Sequence, residues 1–111
     1  MELPLTITAH DATLTEPVEA LIREKTAKLE RYFDRIVGCH VTVEGPAKHH
    51  RNGGHYRVRI DLSVPGSEIV VNHQEGETLP AAVREAFEAA QRQLQDHVSL
   101  RREGRKAVEE V

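Results

Sequence analysis

The chain has 111 residues and a formal net charge of -3; with 39% hydrophobic and 30% charged residues it has the composition of one globular domain and not of a disordered segment. Its single cysteine, Cys39, excludes an intrachain disulfide and a cysteine zinc cluster. No stretch approaches the ~18 apolar residues of a membrane span, and the opening MELPLTITAHDATLTEP has no basic region followed by an apolar run, so a cytoplasmic protein without a signal peptide is expected.

Leu3, Leu5, Ile7 and Ala9 alternate with polar residues, the period of a half-buried strand. Pro4 lacks an amide donor, which puts this stretch at an edge or a strand end. Thr15 is a candidate N-cap, followed by Glu16 and Pro17 in a first turn. Val18, Leu21, Ile22, Leu29, Tyr32 and Phe33 then recur at helical spacing, predicting an amphipathic helix over residues 16–34. Cys39, Val41 and Val43 alternate with His40, Thr42 and Glu44 as a second strand, closed by Gly45-Pro46. Residues 47–54 read as a polar loop with Asn52-Gly53-Gly54 as turn chemistry. Tyr56, Val58, Ile60, Leu62 and Val64 make the clearest strand, with His55, Arg57, Arg59, Asp61 and Ser63 on its other face. Pro65-Gly66 is a tight turn into a further strand over residues 69–72, and residues 73–77 read as a loop.

Thr78 is a second N-cap with Pro80 behind it. Leu79, Val83, Ala86, Phe87, Ala90, Leu94 and Val98 form the inner stripe of a second helix, about 79–100, with Gly104 as its expected end. Alanines at 82, 86, 89 and 90 allow close packing. The predicted architecture is therefore α+β in the order β-α-β-β-β-α. One four-stranded sheet has both helices on one face and the other face open to water. Residues 1–100 form the domain, and residues 101–111 are expected to fray.

Charge is sorted locally. Residues 40–59 set Glu44 against Lys48, Arg51, Arg57 and Arg59, whereas residues 60–80 carry only acids. On a wheel of ~100° per residue, Lys28, Arg31 and Arg35 fall on one flank of the first helix. Glu19, Arg23, Glu30 and Asp34 fall on the other. Arg84, Gln91, Gln95 and Arg102 line one side of the second helix, with Arg92 nearby. A row of cations at one per turn suits a phosphate backbone. A solvated surface helix with a Glu24-Lys28 pair is the plain alternative. The loop KHHRNGGH adds Lys48 and Arg51 as fixed cations, with histidines that charge below about pH 6.5.

No HxxxH pair sits on a helix face and the acids are not grouped with the seven histidines, so no metal is expected. There is no GxSxG, no phosphate-cradling glycine loop and no GxGxxG, and Cys39 lies on the apolar side of its strand. Neither an enzyme nor a cofactor nor a small-molecule substrate is expected. With two tyrosines, two phenylalanines and no tryptophan, base stacking is not expected to carry binding.

The run TEPVEALIREKTAKLERYFDRI in the first helix and AFEAAQRQLQDH in the second, set in this element order, resemble the ribosome hibernation-promoting factor and ribosome-associated inhibitor family. The core words are Ala27-Lys28-Leu29-Glu30-Arg31-Tyr32 and Gln91-Arg92-Gln93-Leu94, and the likeness covers about residues 3–98. The chain looks like the family's short form, without the long form's C-terminal dimerisation domain. The resemblance implies a protein, monomeric when free, that binds the small ribosomal subunit. It would occupy the channel of messenger RNA and transfer RNA under stress, with rRNA contacts from basic residues along the helices. On that pattern Lys25, Lys28, Arg31 and Arg92 match basic positions; the position three before Arg92, commonly lysine, is Ala89 here. Arg35, Arg84, Lys48 and Arg51 complete the expected rRNA-binding set. The alternatives are a double-stranded-RNA-binding-like module and a stress-associated protein-interaction domain that uses no RNA.

Overall fold

The computed structural model describes residues 4–33, 35–45 and 55–109, with side chains described except at 73 and 98–109. The elements follow the predicted order: β1 (Leu5–His10), α1 (Glu16–Tyr32), β2 (Gly38–Glu44), β3 (Tyr56–Val64), β4 (Ser67–Gly76) and α2 (Leu79–Glu109). The strands lie side by side as β1-β2-β3-β4. β1 runs parallel to β2, with Ile7 opposite Val41. That pairing needs a crossover, which α1 supplies. β2 and β3 are antiparallel with Val41 opposite Ile60, and β3 folds back on β4 with Val64 opposite Ser67. Pro65-Gly66 makes that reversal, and Gly66 takes the positive φ of 74° that a side chain would resist.

Both helices start where the threonines predict. The Thr15 hydroxyl accepts from the Val18 amide at 3.4 Å, and the Thr78 hydroxyl accepts from the Ala81 amide at 3.2 Å. Strand alternation then decides the layers. Cys39, Val41 and Val43 of β2, Val58, Ile60, Leu62 and Val64 of β3, and Ile69 and Val71 of β4 join one buried cluster with residues of both helices. From α1 come Val18, Ile22 and Leu29; from α2 come Leu79, Val83, Phe87, Ala90 and Leu94. Each fully buried aliphatic of this set contributes roughly 1.5–3 kcal/mol. The intervening residues His40, Arg57 and Ser63 face water on the far side. Thr26 is the buried polar residue of α1, satisfied by donating to the Ile22 carbonyl at 2.8 Å. At the end of β4 the backbone of Gly76 lies flush against α2: a methyl group there would come within 2.5 Å of the Ala82 nitrogen.

Three boundaries differ from expectation. α1 ends at Tyr32, not at 34, because Phe33 caps it in an extended conformation while its amide still donates to the Leu29 carbonyl. β4 does not stop at Asn72. Its backbone continues to Gly76, opposite Tyr56, through a register shift that inserts one extra residue between Val71 and Gln74. α2 runs on to Glu109, so Gly104 does not end it and the stretch expected to fray is helical to that residue. One interior glycine costs about 1 kcal/mol, too little to stop a helix flanked by arginine, glutamate, lysine and alanine. The loop over residues 47–54 lies outside the described residues.

Candidate nucleic-acid interface

α1 and α2 run side by side in the same direction. Their starts meet at one cleft, lined by Asp11, Thr15 and Val18 from the first connection and by Glu77, Thr78 and Leu79 from the second. Near the end of α1, the Gln95 side-chain amide donates to the Tyr32 hydroxyl across the two helices. This hydrogen bond fixes which flank of each helix faces the other. On α1 it is the flank of Leu21, Lys28 and Tyr32; on α2 it is the flank of Arg84, Gln91 and Gln95, which spans ~40° of the wheel.

The predicted cations therefore separate into groups. Lys28 is exposed on the α2-facing side of α1, Arg31 is exposed ~60° further round on its outward side, and Lys25 is half-buried closer to the sheet. Arg84 is exposed on the α1-facing side of α2. Residues 63 apart stand level along the parallel pair, so Arg84 precedes Lys28 by about two helical turns. Arg92 is exposed too, but ~80° around α2 from Arg84, on its outward side. Arg35 is exposed in the turn after α1 and does not extend the helical row, a consequence of the early cap at Phe33. Lys48 and Arg51 lie outside the described residues. Ala89 is buried.

Among the described residues no ion pair engages Lys25, Lys28, Arg31, Arg35, Arg84 or Arg92. The predicted Glu24-Lys28 pair is not formed, whereas on the opposite flank of α1 Arg23 bonds Glu19 at 2.9 Å. The open face of the sheet behaves differently. Arg57 lies 3.8 Å from Glu44. Arg59 reaches Asp61 through both Nη2 and Nε, the shorter contact at 3.0 Å. The Asp61 hydrogen bond holds the Arg59 guanidinium above its ordinary pKa. His40 is hydrogen-bonded to the Thr8 hydroxyl at 2.9 Å. The cations of the sheet face thus meet carboxylates of the same chain; those beside the inter-helix groove do not. Sequence reading placed Arg57 and Arg59 on this face but did not pair them. The signal was present in Arg59 and Asp61 at i,i+2 of one strand.

Two further groups bear on chemistry. Cys39 is buried, and burial pushes its thiol up to about 12, against a lowering hydrogen bond from Thr26 and with a smaller raising effect of Asp61. At pH 8 the thiolate fraction is then on the order of one in ten thousand. A disulfide reagent such as Ellman's should leave the native chain untouched and titrate one thiol after unfolding; rapid labelling of the native chain would contradict this burial. Among the described residues no group of three or more histidines, cysteines and acids could hold a metal ion, and no helix is long and apolar enough to cross a membrane.

Residues 5–102 match the family described as Sigma 54 modulation protein / S30EA ribosomal protein. The chain belongs to this family. Curated relatives include a ribosome hibernation promoting factor of Escherichia coli, 32% identical over 95 residues, covering 86% of this chain and 93% of that one. A ribosome hibernation promotion factor of Deinococcus radiodurans is 29% identical over 103 residues, and this chain spans about half (53%) of its length. Among solved structures, a ribosomal subunit interface protein from Coxiella burnetii superposes with a TM-score of 0.74 at 15% identity, over 87% of this chain and 99% of that one. The N-terminal domain of Protein Y from Thermus thermophilus superposes with a TM-score of 0.69 at 22% identity, with the same coverage. These two likenesses speak to the fold. In the order of strands and helices and in the placement of both helices on one sheet face, the chain has the α+β architecture that its sequence predicts.

Proposed function

We propose that the chain is a ribosome hibernation factor that docks on small-subunit rRNA through its paired-helix face and plugs the channel of messenger RNA and transfer RNA. The observation that carries this reading is the asymmetry of charge. Lys28 and Arg84 stand exposed beside the inter-helix groove, and Arg31 on the outward side of α1, without a carboxylate partner among the described residues, while Arg57 and Arg59 on the sheet face are paired to Glu44 and Asp61. A carboxylate already in contact must be displaced before its arginine can meet a phosphate; an unpaired cation exchanges only counterions. The names of the curated relatives support the ribosome as the target.

The mechanism is steric occlusion with electrostatic docking, without turnover or cofactor. Specificity comes mainly from the shape of the folded RNA, as is usual for structured RNA. A double-stranded-RNA-binding-like mode is less well supported. Such modules place cations at a helix start, whereas here the first turn of α1 carries Glu16 and Glu19, and its cations sit further along.

Co-sedimentation with isolated small ribosomal subunits, paired with a cell-free translation assay, tests the reading. The chain should travel with the subunit and suppress initiation. The Arg57→Ala/Arg59→Ala double variant should do both within about twofold of wild type, since exposed paired arginines contribute little to stability. Loss of binding in that variant, with binding retained after charge reversal on α1, would move the interface to the sheet and overturn the proposal.

A further inference from the structure

We propose that Tyr32 is a stacking platform for one unpaired nucleobase of the bound RNA, set at the edge of the cationic groove. The inference rests on the helix-face reading of the function and adds to it a contact that reads a base rather than a phosphate. Tyr32 belongs by spacing to the apolar stripe of α1, yet the ring is 53% exposed and is one of two large hydrophobic side chains so exposed among the described residues. Its neighbour Phe33 packs against the core and ends the helix, so the backbone under the ring is anchored while the ring itself is left outside.

The ring is also oriented. Its hydroxyl accepts a hydrogen bond from the Gln95 amide of α2. That contact limits the rotation of an otherwise solvated side chain and ties it to the second helix. Cations stand close to it along the chain: Lys28 one turn before it on the same flank, Arg31 next to it and Arg35 three residues on, all exposed. A nucleotide offers a π-face joined to a phosphate, and a fixed aromatic ring bordered by unpaired cations matches both parts. Tyr56, the other tyrosine, is half-buried against the core and offers no such surface. Sparse aromatics in the sequence exclude binding by a series of stacked bases; they do not exclude one ring placed where the phosphates dock.

The experiment measures affinity of the full chain for small ribosomal subunits, with Tyr32→Leu, Tyr32→Phe and the Lys28→Glu/Arg31→Glu variant in parallel. Ultraviolet cross-linking of the wild-type complex is read by mass spectrometry. Stacking of one base is worth about five- to 150-fold, so Tyr32→Leu should lose affinity in that range with its salt dependence unchanged. Tyr32→Phe, which keeps the ring and loses only the hydroxyl, should stay within about threefold. A nucleotide adduct should appear on Tyr32. If Tyr32→Leu binds as wild type while the charge reversal fails, the helix-face reading stands and the stacking role falls. If all variants bind alike, both fall. Absence of an adduct on Tyr32, in a complex whose other residues cross-link, also overturns the stacking role, and it does so without relying on any variant's fold.

Discussion

A chain carrying Lys28→Glu and Arg31→Glu together should lose binding to the small ribosomal subunit and keep its fold. Both side chains are exposed, Lys28 on the flank of α1 that faces α2 and Arg31 on its outward side, with no ion pair among the described residues. Reversal therefore breaks nothing internal, but it turns two attractions toward phosphate into two repulsions. At surface dielectric and physiological salt each reversal costs on the order of 1–2 kcal/mol, which together lowers affinity by roughly 30- to 900-fold. The fold loses far less. A glutamate at 28 faces Glu24 at i,i-4, a like-charge pair worth roughly 0.2–0.5 kcal/mol. Removing Arg31 from the last turn of α1 gives up a dipole interaction of about 0.3–1 kcal/mol. Against a domain stability of about 5–15 kcal/mol the melting temperature should drop by a few degrees only. Arg23→Glu is the matched control. It sits on the opposite flank, paired with Glu19, and should leave binding intact. Co-migration of the double variant with the subunit, at wild-type protein concentration, would remove α1 from the interface.

What could be read before folding and what could not divides along physical lines. β3 was legible to its ends because one face of it is buried from Val58 to Val64 and half-buried at Tyr56, and a period of two over nine residues has a single solution. The helix starts were legible because a cap is a local event between a threonine and an amide three residues on. Ends were not. Phe33 continues the apolar period of α1, but its side chain completes the core from an extended backbone. β4 runs past its apolar residues because ladder pairing of Gln74 and Glu75 with Val58 and Arg57 uses backbone groups and is blind to side chains. The site shows the same split. Exposure of Lys28, Arg31 and Arg84 follows from the helical wheel alone. The neutralisation of Arg57 depends on strand register, which brings Glu44 opposite it, and the exposure of Tyr32 depends on where α2 lies, which no periodicity within α1 contains.

Affinity for the small subunit should fall steeply with salt, and the slope should count the contacts. Five phosphates neutralised by Lys and Arg give a log–log slope of about -4, so raising monovalent salt from about 50 to 200 mM should weaken binding by roughly 250-fold. The net charge of -3 does not by itself oppose this, since several acids are placed elsewhere: Glu19 and Glu30 on the far flank of α1, and Glu44 and Asp61 on the sheet face, where they hold Arg57 and Arg59; Glu24 and Glu88 stand exposed on the helix-pair side and lower the attraction there. Single replacements then report individual contacts. Lys28→Ala and Arg84→Ala should each flatten the slope by roughly 0.8, because each removes one counterion-releasing contact. Arg57→Ala should leave the slope where it was, since that arginine is already neutralised within the chain. Tyr32→Leu should shift the line downward without tilting it, as loss of an uncharged contact must. An affinity that barely changes across this range of salt would mean that phosphate is not what the chain grips. The open sheet face, with its internally balanced charges and a surface suited to a protein partner, would then be the better account of the interface.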